Sequence, residues 1–313
     1  MENLIVEVSK YLMIILFACY AYECFSAFRS KISTEKRNHI FDRQIFLMYL
    51  IHLDAFLVLY TVTDEINLII LYFLQVILVT IVIVNYQLLY PKASRLVTNN
   101  MCMLLSVGFI MLCRLDIASA NKQLLIVACG SAVALVIPVM IRKMKFLKDL
   151  TWVYAGLGIV LLGAVLVLAQ TSYGAKLSLM GIQPSEVIKL TFVFFMASLL
   201  AREVTFKKVV LATVVAGLHV GILVLSRDLG SAVIFFAAYL VLIYVSTRKP
   251  AYLCIGIAGG TAGAVVAYHL FGHVRQRVSA WKDPMAVYQN EGYQIVQSLF
   301  AIGTGGWFGM GLC

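Results

Sequence analysis

Leu68-Ile69-Ile70-Leu71-Tyr72-Phe73-Leu74-Gln75-Val76-Ile77-Leu78-Val79-Thr80-Ile81-Val82-Ile83-Val84-Asn85-Tyr86-Gln87-Leu88-Leu89-Tyr90 runs without a single Asp, Glu, Lys or Arg. A helix rises about 1.5 Å per residue, so such a run crosses the roughly 30 Å of hydrocarbon in a bilayer. The remainder of the 313 residues repeats the pattern: 62% are hydrophobic and 13% charged, with a mean hydropathy of +0.94. A soluble domain has no interior large enough for that apolar surface, whereas a bilayer is itself an apolar solvent. The runs are continuous and do not alternate in ten-residue segments, which excludes an outer-membrane barrel. The fold class is therefore all-α, a polytopic transmembrane helical bundle. Ten spans are expected, near 5–28, 44–63, 68–90, 99–114, 124–141, 151–169, 186–201, 209–225, 231–247 and 251–271, followed by the start of another.

Charge gives the bundle an orientation. The loops 29–43, 91–98, 142–150, 202–208 and 246–250 carry 16 of the 25 Lys and Arg, although the opposite set of segments is longer. The positive-inside rule puts these five in the cytoplasm, and the N-terminus and the 272–298 loop outside. The net charge of +10 is thus spread between spans and forms no tract suited to nucleic acid. The seven cysteines are scattered without a CxxC pair, so neither a metal nor a disulfide framework is indicated. The N-terminus lacks the basic region of a cleavable signal, and the first apolar run is expected to remain as a span.

Three polar stretches interrupt the hydrocarbon. Gly181-Ile182-Gln183-Pro184-Ser185-Glu186-Val187-Ile188-Lys189-Leu190 opens the seventh span. Pro184 and Ser185 suit a helix start, and Glu186 suits the positive end of the helix dipole. Glu186 and Lys189 stand three residues apart on one face, as an ion pair or a polar cavity would require. Ser226-Arg227-Asp228-Leu229-Gly230-Ser231 joins the eighth and ninth spans, with Asp228 as a helix N-cap or Arg227 as a cation for a phosphate. His269 and His273 are four apart without a third ligand beside them, the usual state of interfacial histidines. The third stretch runs Arg275-Gln276-Arg277-Val278-Ser279-Ala280-Trp281-Lys282-Asp283-Pro284, then Glu291-Gly292-Tyr293-Gln294 and Gln297, then a burst of glycine from Gly303 to Gly311.

In order and spacing this third stretch resembles the large extracytoplasmic loop of the SEDS family, the RodA/FtsW/SpoVE-like polymerases of peptidoglycan. The 181–190 segment is similar to the family's G-x-x-x-Q-P-S-E-x-x-K-L, and Asp228-Leu229-Gly230-Ser231 keeps the end of its Q-P-D-L-G-[ST]. The resemblance covers roughly 100–313. It divides the chain into an N-terminal transmembrane extension of about three spans (1–98) and a SEDS-like core (99–313). The family continues past the glycine-rich motif with further spans, so the chain is expected to be an incomplete member.

The resemblance implies a peptidoglycan glycosyltransferase of the bacterial cytoplasmic membrane, acting in division, elongation or sporulation. It would polymerise lipid II, with inversion, beside a class B penicillin-binding protein. Gln183, Ser185, Glu186 and Lys189 would line the substrate cavity with Arg227, Asp228, Gln294 and Gln297. Arg275, Arg277 and Lys282 would hold the pyrophosphate. A divalent cation, Mg or Mn, is the cofactor such a leaving group would take, and no ligand set for one is visible. One position departs from the family. Where it places its essential second acid, this chain has Val287, which cannot take a proton. Asp283 or Glu291 could then serve as the base. Alternatively the chain is a non-catalytic scaffold, or the required carboxylate lies beyond residue 313. A lipid II flippase is a further alternative and would call for an inverted repeat, which is not seen.

Overall fold

The computed structural model describes residues 2–30, 32–168, 170–172, 175–178, 184–201, 203–289 and 292–312. Helices dominate, because inside a bilayer every backbone amide and carbonyl must be satisfied within its own segment. In order they are α1 (Glu2–Ser26), α2 (Thr34–Thr63), α3 (Ile66–Leu89), α4 (Arg95–Leu115), α5 (Ile117–Lys143), α6 (Thr151–Leu168), α7 (Pro184–Leu200), α8 (Phe206–Leu225), α9 (Leu229–Thr247), α10 (Pro250–Leu270), α11 (Gly272–Lys282) and α12 (Tyr293–Gly305). A 3-10 turn, Lys145–Asp149, precedes α6. Between α6 and α7 a short antiparallel hairpin forms from β1 (Gln170–Ser172) and β2 (Ala175–Ser178), a small departure from the all-α expectation.

Among the described residues, nine helices are long and apolar enough to cross a membrane. The expected seventh span, α7, has 17 residues, one fewer than the shortest of the nine. Two helices begin well before the expected span. α2 starts at Thr34 because Ser33 caps it, its Oγ accepting the Lys36 amide at 3.4 Å. α5 starts at Ile117, where the Asp116 carboxylate accepts the amides of Ala118 and Ser119 at 3.2 and 2.9 Å. A hydrogen bond with the Ser119 side chain, then these amide bonds, hold the Asp116 carboxyl below its ordinary range. Residues 117–123, ahead of the expected fifth span, are therefore helical.

The chain packs as two units, residues 1–140 with 297–313, and residues 141–296. In the first, α1 lies on α2 and α2 and α3 lie on α4, around a core that includes Met48, Ile51, Leu59, Leu68 and Phe109. Several polar side chains in this core are paired across helices, whereas His52 is buried with neither ring nitrogen bonded among the described residues. Asn99 donates to Gln44 Oε1 at 3.0 Å and to the Phe41 carbonyl at 3.1 Å, and Ser9 donates to Asp54 at 2.7 Å. Arg43 on α2 makes a two-point contact with Glu23 on α1, at 2.7 and 3.0 Å.

In the second unit α6, α7, α8 and α9 enclose Leu162, Phe192, Phe195, Met196 and Phe235. His219 is fully buried among them, its Nδ1 bonded to the Val215 carbonyl at 2.8 Å. It fits because α6 offers Gly158 opposite, where a β-carbon would strike the imidazole Nε2. α10 meets α9 through small residues. Gly256 and Gly260 admit Leu240 and the Phe236 ring of α9.

Candidate active site

The second unit carries most of the polar residues singled out in the sequence. α8 ends in a Schellman-type turn: Arg227 N–H bonds the Val224 carbonyl and Asp228 N–H the Leu223 carbonyl, both at 3.0 Å. The residue after the cap must then be left-handed, a position that favours glycine, and Arg227 occupies it with φ 63°. Asp64 and Arg248 end α2 and α9 in the same conformation, so this backbone alone does not mark a site. Asp228 then caps α9, accepting the Ser231 amide at 3.0 Å.

α11 returns to this turn. His273, in its first turn, hydrogen-bonds the backbone at Val224 and interacts with the charges of Arg227 and Arg277. Two motifs nearly fifty positions apart in the sequence thus meet through one imidazole. Burial, then the two arginines, push the His273 pKa below its ordinary value against the opposing effect of the Val224 bond. At neutral pH the ring is uncharged and leaves the local field to the guanidinium groups. Sequence reasoning set His273 aside. The available signal was its place one helical turn before Arg277, which puts both on one face of α11.

The other cations stand along α11 itself. Arg275 donates to the His269 carbonyl at 3.2 Å, and Lys282 stands exposed in the last turn. Among the described residues none of Arg227, Arg275, Arg277 and Lys282 forms an ion pair with a carboxylate. Asp283 ends α11 and is exposed, and its Oδ1 accepts the Ala286 amide at 3.2 Å. The turn that follows closes where the Gly292 amide reaches the Val287 carbonyl at 3.1 Å. A β-carbon on Gly292 would collide with the carbonyls of Pro284 and Val287, so only glycine allows this closure. Gln294 and Gln297 lie one turn apart on α12, with Gln297 in the other packing unit. Glu291 and Gln183 lie outside the described residues.

Glu186 and Lys189 pair at 2.7 Å within the first two turns of α7, on an end that is half open to solvent. Ser185 beside them is buried, with no hydrogen-bond partner for its hydroxyl among the described residues. No group of three His, Cys, Asp or Glu side chains that could hold a metal ion occurs among the described residues. Chemically, the loop offers a cluster of uncommitted cations, a neutral imidazole and one exposed carboxylate. Such a cluster suits an anionic leaving group.

Comparison with known proteins agrees. A family described as cell cycle protein, comprising FtsW, RodA and SpoVE, matches residues 92–313. The chain is 32% identical over 255 residues to the peptidoglycan glycosyltransferase RodA of Mycobacterium bovis, covering 71% of this chain and 54% of that protein. The Mycobacterium leprae RodA is 31% identical over 252 residues, covering 71% of this chain and 54% of the relative. The probable peptidoglycan glycosyltransferase FtsW of Tolumonas auensis is 36% identical over 162 residues, 49% of this chain and 42% of the relative. The chain spans about half the length of the RodA relatives it matches. No solved structure matches. With residues 92–313 aligned to the family, and the motifs at 184–190, 228–231 and 275–311 in their family order, this multi-pass membrane chain belongs to the FtsW/RodA/SpoVE family of cell cycle proteins.

Proposed function

We propose that the protein is a peptidoglycan glycosyltransferase that polymerises lipid II in the bacterial membrane. The observation that carries this is the cluster of Arg227, Arg275, Arg277 and Lys282 around α11, without carboxylate partners among the described residues. Cations without carboxylate partners are stabilised by an anionic ligand, and the pyrophosphate of a lipid-linked glycan is a group of that charge. The names of the relatives point to the same reaction.

In the proposed step the 4-hydroxyl of an acceptor sugar attacks the anomeric carbon of the donor glycan. A C–O bond forms as the anomeric C–O bond to the pyrophosphate breaks, and the electron pair leaves with the pyrophosphate. Asp283 takes the hydroxyl proton as general base, an action worth about 10²–10⁴ in rate. A single in-line displacement inverts the anomeric carbon, and the product is a β-1,4 glycan. Arg227 and Arg277 stabilise the charge that builds on the leaving group. A class B penicillin-binding protein is the proposed partner, and a cytoplasmic position of loops 29–43 and 246–250 the proposed orientation.

Val287 favours one rival, a scaffold that binds substrate without a base. Glycan synthesis from purified lipid II separates the two. If Asp283 is the base, the wild type forms glycan ladders and Asp283→Ala abolishes them. If ladders form only from Val287→Asp, the scaffold reading replaces this one.

A further inference from the structure

A second cationic site lies in the first packing unit, outside the segment matched by the family. A cavity of about 390 Å³ opens where α1 ends and α2 begins, lined among others by Tyr22, Ser26, Arg29, Lys36, His39 and Arg43. Arg29 is held over it: its Nη2 donates to the Tyr22 hydroxyl at 3.1 Å, and its guanidinium lies 5.7 Å from the centre of the Tyr22 ring. Of the nearby acids, Glu23 is occupied by Arg43, Asp42 by Arg95 at 2.5 Å, and Glu35 is exposed in the first turn of α2. Arg29 and Lys36 have no carboxylate partner among the described residues. The cavity also faces the N-terminal turn of α2, whose dipole adds positive potential.

The surroundings decide what kind of anion suits it. Tyr22, which lines the cavity, is 59% exposed, and Phe25 and Phe28, its neighbours in the chain at the end of α1, are 77% and 74% exposed. Bare aromatic rings at the end of a span sit at the level of lipid headgroups, where a ring can be half in hydrocarbon and half in water. A soluble anion would have no use for that rim, whereas a phospholipid would lay its chains against it. We propose that this cleft binds the phosphate of an anionic phospholipid. Arg29 and Lys36 hold the headgroup, Tyr22 fixes the Arg29 guanidinium, and the aromatic rim receives the acyl chains.

The test uses the full chain reconstituted in phosphatidylcholine vesicles with and without phosphatidylglycerol, then extracted in detergent. Phosphatidylglycerol retained by the protein is measured by mass spectrometry. Each basic residue near a membrane surface contributes about 1 kcal/mol, so Arg29→Gln with Lys36→Gln should lower retention roughly tenfold or more. Tyr22→Phe keeps the cavity and the ring but removes the hydroxyl, and should lower retention by about threefold, on the scale of one hydrogen bond. The charge-matched control Arg248→Gln with Lys249→Gln should retain phosphatidylglycerol like the wild type. Equal loss in the control and the cleft variants would reduce the effect to general surface charge and overturn the proposal. Displacement of phosphatidylglycerol by inorganic phosphate would assign the cleft to a free anion and overturn the lipid source. Should the double variant not fold, unchanged retention in Tyr22→Phe overturns the assigned geometry.

Discussion

In the first unit Arg43 reaches from α2 to a buried Glu23 on α1, while in the second Arg227 after α8 and Arg275, Arg277 and Lys282 on α11 have no carboxylate partner among the described residues. The two regions have the same hydrocarbon around them and a similar density of spans, yet they use charge differently. A pair such as Arg43–Glu23 offsets the cost of placing a carboxylate among apolar helices, so it belongs to stability. Cations without carboxylate partners in the second unit are free to act on a ligand, so they belong to function. The contrast teaches that charge in this membrane protein is read from its partners rather than from its depth in the sequence.

That contrast can be broken by substitution. Arg43→Ala should have the largest effect on stability. It leaves Glu23 buried and unpaired, a loss of about 2 kcal/mol after discounting for the half-exposed arginine. Thermal unfolding in detergent reads it, and Glu23→Leu with Arg43→Leu should recover most of the loss. Arg227→Gly should do the opposite on both counts. Glycine relieves the left-handed backbone, adding up to about 1 kcal/mol of stability. Lipid II polymerisation should nonetheless fall about tenfold, or 1.4 kcal/mol of transition-state stabilisation, because the leaving group loses a cation. Arg248→Gly is the matched control: it relieves the same backbone, and polymerisation should not change. Loss of activity in both glycine variants would break the distinction between the regions.

Two smaller effects sharpen it. Gly260→Ala drives a methyl into the Phe236 ring, which is only partly buried and can turn aside, at a cost of about 1 kcal/mol with no specific effect on polymerisation. The smallest effect is pH-dependent. The folded-state pKa of His273 is depressed, so the unfolded or undocked ring binds a proton more readily. The docking of α11 is therefore fully stabilised above the ordinary histidine pKa of about 6.5 and weakens as pH falls below it. Amide hydrogen exchange over 272–282 should quicken at acid pH beyond its intrinsic rate, and His273→Phe should remove that excess.

Hydropathy found the spans because a bilayer selects on composition alone, and α3, α8, α9 and α10 lie within a few residues of where they were expected. It missed the polar start of α2, where Thr34–Arg43 is helical outside the hydrocarbon. A local side-chain cap on Ser33 starts that helix, and transfer energy says nothing about such caps. The same blindness hid α11 inside what reads as a loop. Of the candidate site residues, the ion pair of Glu186 and Lys189 was legible because helical spacing sets it locally. The partnership of His273 with Arg227 was not, since it joins the end of α8 to the start of α11.

By itself, then, the amino-acid sequence determined the membrane-spanning helical class, the motifs of the family and the substitution of valine at 287. Each of these is a matter of residue type and local spacing. Only the tertiary structure decided which charges are neutralised. Glu23 and Arg43, or Asp42 and Arg95, find one another across helices, and among the described residues the cations of α11 and Arg29 and Lys36 of the α1–α2 cleft do not find acids. Electrostatic energy depends on distance through space, and no spacing along the chain encodes it.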